Sequence, residues 1–279
     1  MPFDAASSNA PPPLVSDQIA KWESMYRTHS ADRQHMFKDR RYLLHAFPLL
    51  QAPALRVLEI GCGNGSSTLP ILRDNALAHV HATDPSATAV ELTRRVCETS
   101  GFAARLSTEI QADDGAPLGG AAHGAFDVAM LVFTLSAVPR PDDEALIRRV
   151  AAALRPGGRL LFRDYGECDL RMLRDAASAA GAPVPKSAPP DSGRDPPTPA
   201  PPSRPPAPTS TRLSEREFVR PGGMFRRYYS LEDVGELART AHLDVEEVPR
   251  YCCVRLENRR RALTMERVYV QAVLRKRGG

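Results

Sequence analysis

Residues 56–65 read RVLEIGCGNG, and the fold turns on how that stretch is read. Five residues suited to a buried strand run straight into three glycines within five positions. Nineteen residues after Gly65, Asp84 closes a second apolar run, HVHATD. A chain leaving a parallel strand must turn sharply into a helix at the carboxyl edge of the sheet. Gly61, Gly63 and Gly65 permit positive φ there and remove the Cβ atoms that would block a ligand. Asp84, at the end of the neighbouring strand, stands where a carboxylate accepts hydrogen bonds from the vicinal hydroxyls of a ribose.

Outward from this turn, residues 55–175 alternate two patterns. Strands are expected at Arg56–Ile60, Val80–Thr83, Arg105–Gln111, Phe126–Phe133 and Arg159–Asp164, with helices at Thr68–Asn75, Ser86–Thr99 and Asp142–Leu154. The last helix meets RPGG, which stops it and opens the next strand. Such alternation implies crossover connections and a mostly parallel sheet covered on both faces. The run VAMLVF suits a central strand buried on both sides. Further on, Leu231–Thr240 reads as a helix, and Leu243–Val248, Arg250–Leu256 and Glu266–Leu274 read as strands closing one edge with an antiparallel hairpin.

Residues 183–208 hold twelve of the 26 prolines and Val184 as their one bulky apolar residue. That composition cannot bury enough surface to offset its ordering entropy, so a disordered insertion spanning 183–211 is expected. The domain plan is a disordered 1–20, an N-terminal segment 21–54, and a catalytic domain formed by 55–182 and 212–279. No run of about 18 apolar residues is present, which argues against a helical membrane span. Nothing in MPFDAASSNAPPP reads as an export or import signal, so the cytoplasm is the expected compartment, with a nuclear pool left open. The five cysteines lack metal-binding spacing, and neither zinc nor disulfides are expected. Net charge is +4, yet residues 250–279 carry +7 and the remainder −3, an asymmetry suited to a polyanionic partner.

Glycine turns also serve dinucleotides. Here the string is E-x-GCGNG rather than GxGxxG, and the helix start that follows, STLPIL, lacks the basic residue a phosphate would welcome. S-adenosylmethionine is therefore the favoured cofactor. Asp113, after the third strand, is placed to meet an adenine amino group.

Several strings carry a more specific resemblance: KWESMY, FKDRRYLLHAFPLL, VLEIGCGNG, ATDPSATAVE, LVFTLSAVPRP, LRPGGRLLFRDYGECDLRMLR, RRYYSLEDV and ENRRRALTMERVYVQAVLRK. In this order, from Lys21 to Lys276, the chain resembles the methyltransferase-like enzymes that form 3-methylcytidine in the tRNA anticodon loop. The resemblance implies a Rossmann-like class I methyltransferase of the α/β class, with a seven-stranded mostly parallel sheet and an N-terminal helical lid. It implies cofactor contacts at Trp22, Tyr26, Gly61, Gly63, Asp84, Asp113 and Val132. It also implies a tRNA partner, with position 32 as the target. Some relatives depend on seryl-tRNA synthetase or another recruiting protein, and whether this chain does so stays open; a monomer is the default.

Cytosine N3 bears an in-plane lone pair and no proton at neutral pH, so positioning and electrostatics dominate the catalytic task. Asp164 in FRDYG is the candidate to stabilise positive charge on the base, with Arg163 and Tyr165 flanking it and Tyr165 placed to stack. Lys38, Arg40, Arg41, Arg255, Arg259, Arg260 and Arg261 are candidates to grip phosphates around an exposed loop. A small-molecule methyltransferase and a catalytically silent RNA-binding adaptor are the rival readings.

Overall fold

The computed structural model describes residues 14–29, 37–111, 116–120, 124–140, 142–182, 209–258 and 263–278. Strand β1 (Arg56–Ile60) runs parallel to β2 (His79–Asp84) on one side and β4 (Phe126–Val132) on the other. Beyond them lie β3 (Leu106–Ile110) and β5 (Leu154–Tyr165), also parallel. A late hairpin of β9 (Leu243–Asn258) and β10 (Leu263–Lys276) completes the sheet, with β10 antiparallel to both β5 and β9. The strand order is 3-2-1-4-5-10-9, the mostly parallel sheet with an antiparallel edge hairpin that the sequence predicts.

Alternation of side chains divides the core into two layers. Leu58, Ile60, Ala129 and Leu131 pack on one face with α5 (Asp142–Ala153) and α7 (Leu231–Thr240). Val57, Val128, Met130 and Val132 pack on the other with α3 (Thr68–Asp74) and the short α2 (Leu43–Ala46). All eight strand residues are at most 3 % exposed, as a strand covered on both faces requires.

Several boundaries differ from the expected ones. Strand β5 begins at Leu154, not Arg159, because the RPGG segment bulges within the β4–β5 pairing, where Gly157 has φ +73°. The two short strands expected over 243–256 form one long β9, whose pairing with β10 shifts register near Val273. Helix α1 (Val15–His29) starts ahead of the boundary drawn at residue 20, because Gln18 is buried against the chain near residue 225. Helix α6 (Leu170–Ala179) and a small antiparallel sheet of β6 (Thr211–Arg212), β7 (Glu217–Val219) and β8 (Phe225–Arg227) were not anticipated. The insertion predicted for 183–211 lies outside the described residues up to 208, and its last residue already belongs to β6. No helix among the described residues is long and apolar enough to cross a membrane.

Candidate functional site

The carboxyl ends of β1, β2 and β4 open on a cavity lined by Ile60, Gly61, Asp84, Gln111, Phe133 and Thr134, and roofed by Trp22 and Tyr26 of α1. The glycine turn is shaped by contact. A Cβ at Gly61 would lie 2.5 Å from the Thr134 side chain, and one at Gly63 would lie 2.7 Å from the Tyr26 hydroxyl. Both residues have positive φ, +74° and +58°. The glycines therefore let α1 and the segment after β4 close on the turn.

Asp84 is 5 % exposed and fixed by the backbone. Its Oδ2 accepts from Gly63 N at 3.0 Å and its Oδ1 from Ser86 N at 2.9 Å. Each carboxylate oxygen keeps a second acceptor site. Burial raises its pKa to about 6, against the pull of those two N–H groups. Trp22 Nε1 and Gln111 Oε1 are buried with no hydrogen-bond partner among the described residues. A donor and an acceptor left unpaired in a cavity beside a ribose-competent carboxylate fit the adenosyl group of S-adenosylmethionine.

The roof is anchored at two points. Glu23 accepts from the hydroxyls of Ser86 and Thr88, both at 2.6 Å, and from Thr88 N at 3.1 Å. It thus helps to cap α4 (Ala87–Thr99), the helix after the Asp84 strand. Partial burial would raise the pKa of Glu23, but the hydrogen bonds from Ser86 and Thr88 outweigh it and hold the group at about 2. Gln18 accepts from Phe225 N at 2.7 Å and donates to Gly223 O at 3.2 Å, tying α1 to β8. The FKDR segment lies over the other side of the turn. Asn64 Nδ2 donates to Phe37 O, Arg40 N donates to Ser66 O, and Arg40 Nη1 donates to Ser67 Oγ.

Beside the cavity, Phe133, Tyr165 and Tyr269 form a three-ring cluster. Phe133 is 5.1 Å from each of the others, and Tyr165 and Tyr269 are 6.2 Å apart. Phe133 belongs to both features, as cavity wall and cluster member. Tyr165 and Tyr269 are register partners across β5 and β10. Guanidinium groups surround the rings: Arg40 over Phe133 at 5.3 Å, Arg163 over Tyr269 at 5.0 Å, Arg226 over Tyr165 at 4.5 Å, and Arg267 near both tyrosines. A ring cluster with cationic neighbours is suited to stacking an extruded base.

Not every candidate residue falls where the sequence suggests. Trp22, Tyr26, Gly61 and Asp84 line the cavity, and Gly63 holds Asp84. Val132 is a core residue, and the lining passes to Phe133 and Thr134. Asp164 needs correction too. It is fully buried, absent from the cavity wall, and accepts from Ser136 N at 2.9 Å and Tyr165 N at 2.8 Å. It positions the turn Leu135–Ala137 rather than facing a base. Arg163 is likewise buried, donating to Gln271 Oε1 at 2.5 Å. Of the phosphate-gripping candidates, Lys38 and Arg41 are exposed, Arg40 packs inward, and Arg255 is exposed opposite Glu266 on the hairpin. Asp113 and Arg259, Arg260 and Arg261 lie outside the described residues. Glu23, Gln111, Phe133 and Tyr269 were missed, although Glu23, Phe133 and Tyr269 stand within quoted strings, because only long-range packing gives them a role.

This sheet order, with a glycine turn and an acid at the next strand end beside the cavity, is the fold of the class I S-adenosylmethionine-dependent methyltransferases. Residues 58–160 match the family model described as a methyltransferase domain. The fold is shared with Burkholderia thailandensis 1,6-didemethyltoxoflavin-N1-methyltransferase, solved with S-adenosylhomocysteine, at TM-score 0.55 and 17% identity over 99% of this chain and 98% of that one. Within the class, the chain is a homologue of curated tRNA N(3)-cytidine methyltransferases. It is 25% identical over 260 residues to tRNA N(3)-methylcytidine methyltransferase trm141 of Schizosaccharomyces pombe, covering 91% of each chain. It is 30% identical over 226 residues to tRNA N(3)-cytidine methyltransferase METTL2 of Bos taurus, covering 79% of this chain and 50% of that protein.

Proposed function

We propose that this chain is a tRNA methyltransferase that forms 3-methylcytidine, with position 32 of the anticodon loop as its target. The observation that carries the reading is the shared wall: Phe133 belongs both to the donor cavity and to the arginine-ringed aromatic cluster. A base stacked on the cluster would stand next to the methyl donor. Asp84, Gln111, Trp22 and Tyr26 would hold S-adenosylmethionine, which supplies an electrophilic methyl group on sulfur.

The protein's remaining work is to bind and orient the base. Cytosine N3 needs no general base to expose its lone pair, so the reaction does not depend on Asp164 facing the base. Phe133, Tyr165 and Tyr269 offer ring faces, and the α1 roof covers one side of the cavity. Asp164 holds Ser136, and with it the turn that follows Phe133 and Thr134. Lys38, Arg41 and Arg255 give exposed positive charge for the tRNA backbone. A recruiting partner such as seryl-tRNA synthetase and action as a monomer belong to this reading as proposals. So does a cytoplasmic setting.

The test incubates purified protein with isotope-labelled S-adenosylmethionine and total tRNA, and identifies the labelled nucleoside by mass. Labelled 3-methylcytidine is expected, and a different methylated nucleoside would refute the reading. Labelling only after a synthetase is added would establish the partner.

A further inference from the structure

Arg226 is a buried cation that keeps one N–H unpaired. Its guanidinium lies 4.5 Å from the Tyr165 ring, its Nη1 is buried with no partner, and among the described residues no carboxylate lies within ion-pair distance of it. Arg220 stands near Arg226 and Arg171, and burial together with these two cations lowers its pKa. The nearby carboxylate is Asp175, 3.6 Å from Arg220 and already accepting from the Tyr228 hydroxyl and the Ser210 hydroxyl. Arg267, also beside the Tyr165 ring, is paired with Asp169 at 2.8 Å, yet its Nη2 is also buried and unpaired among the described residues. By contrast, Arg227, next to Arg226, meets both Asp143 and Asp233 within 2.9 Å. The fold thus gives Arg227 two carboxylates at contact distance, whereas Arg226 has the Tyr228 hydroxyl and, beyond ion-pair distance, Asp175, and keeps Nη1 unpaired.

Burial works against this guanidinium's charge, and Tyr165, Tyr228 and Asp175 outweigh it, yet one buried N–H still goes unmet. An anion at Nη1 would meet that N–H, and the planar fork of arginine matches a phosphate. Because Tyr165 is part of the aromatic cluster, that anion would lie within a nucleotide's reach of a stacked base.

We propose that Arg226, flanked by Arg220 and Arg171, binds a phosphodiester adjacent to the nucleotide whose base stacks on Tyr165. This rests on the reading of the chain as an RNA methyltransferase. Binding there fixes the extruded nucleotide at both ends, base on the rings and phosphate on the guanidinium. The site contributes to RNA affinity and leaves donor affinity untouched.

The test uses the full chain and an RNA hairpin with one cytidine in its loop, alongside versions in which a flanking phosphodiester is replaced by a neutral methylphosphonate. Arg226→Gln should weaken hairpin binding about tenfold and lower the slope of log affinity against log salt by about one. Arg226→Lys should restore most of the slope, and melting temperature and S-adenosylmethionine affinity should match the wild type. One methylphosphonate position should cost wild type the same factor and cost Arg226→Gln nothing further. An unchanged salt slope in Arg226→Gln, or equal methylphosphonate penalties in both proteins, would overturn the phosphate site. A wild type that binds the hairpin without forming 3-methylcytidine overturns the proposed reaction alone, and the phosphate site is still judged on the slopes. A wild type that does not bind it overturns both.

Discussion

Phe133 is held at φ +58°, a conformation that bulky L-residues rarely adopt. Its N–H donates to Arg163 O at 2.8 Å, and Thr134 Oγ1 donates to Ile60 O at 2.9 Å, so the chain is pinned on both sides of the strained residue. The strain, about 1–3 kcal/mol, places an aromatic ring where the cavity meets the Tyr165–Tyr269 pair. Phe133→Asn tolerates the same backbone and removes the ring. Its melting temperature should drop by only a few degrees, while methylation at saturating donor should fall at least tenfold. Asp164→Ala strands the Ser136 and Tyr165 N–H groups, each at about 1–3 kcal/mol. It should therefore lower both stability and turnover, and Asp164→Asn, which keeps an acceptor, should recover much of each; an alanine variant as stable as wild type would refute the positioning role. Burial also raises Glu59 to about 7, and Asp84 and Asp164 to about 6. Raised carboxyl groups contribute stability that is full below their unfolded values and is lost as pH rises through the folded ones. The ligand-free protein should accordingly melt at a lower temperature at pH 8 than at pH 5.5, and Glu59→Gln should narrow that gap. Donor affinity should run the other way, falling below about pH 6 as Asp84 takes up a proton, and Asp84→Asn should flatten that profile while weakening binding.

At the scale of elements, α1 is a roof with two fastenings: Glu23 on the start of α4 and Gln18 on β8. Glu23→Ala removes the hydrogen bonds from Ser86 and Thr88 and should reduce S-adenosylmethionine affinity about tenfold, a loss of about 1.4 kcal/mol. Trp22 is the only tryptophan in the chain and lines the cavity, so its emission should shift on titration with donor. An unshifted spectrum at saturation would contradict a roof in contact with the ligand. The strands β1, β2, β3 and β4, the glycine turn and Asp84 were legible because period-two burial, glycine and a strand-end acid are local signals. Glu23 was not, since its partners stand 63 and 65 residues away. Asp164 was misread for the opposite reason: the strand end suggested an open edge, but the turn after β4 folds back over it. The small sheet β6–β7–β8 escaped because strands of two or three residues leave almost no periodicity.

Across the whole molecule, the proline-rich stretch interrupts a continuous fold. Ser210 N donates to Ser178 Oγ at 3.0 Å, so the chain re-enters beside the helix it left. Replacing residues 183–208 with a short glycine–serine linker should leave the melting temperature within about 2 °C and 3-methylcytidine formation intact; a collapse of tRNA affinity would instead assign the insertion a role in recruitment. The distribution of roles along the polypeptide is uneven in another way. Gly61 and Asp84 come early, whereas Tyr269 comes from β10, which is inserted between β5 and β9. During synthesis, the ribosome delivers every cavity-lining residue before it delivers the third ring. A nascent or prematurely terminated chain would thus have the means to capture the alkyl donor but nowhere to receive a nucleobase, and transfer becomes available only when translation has passed the final hairpin.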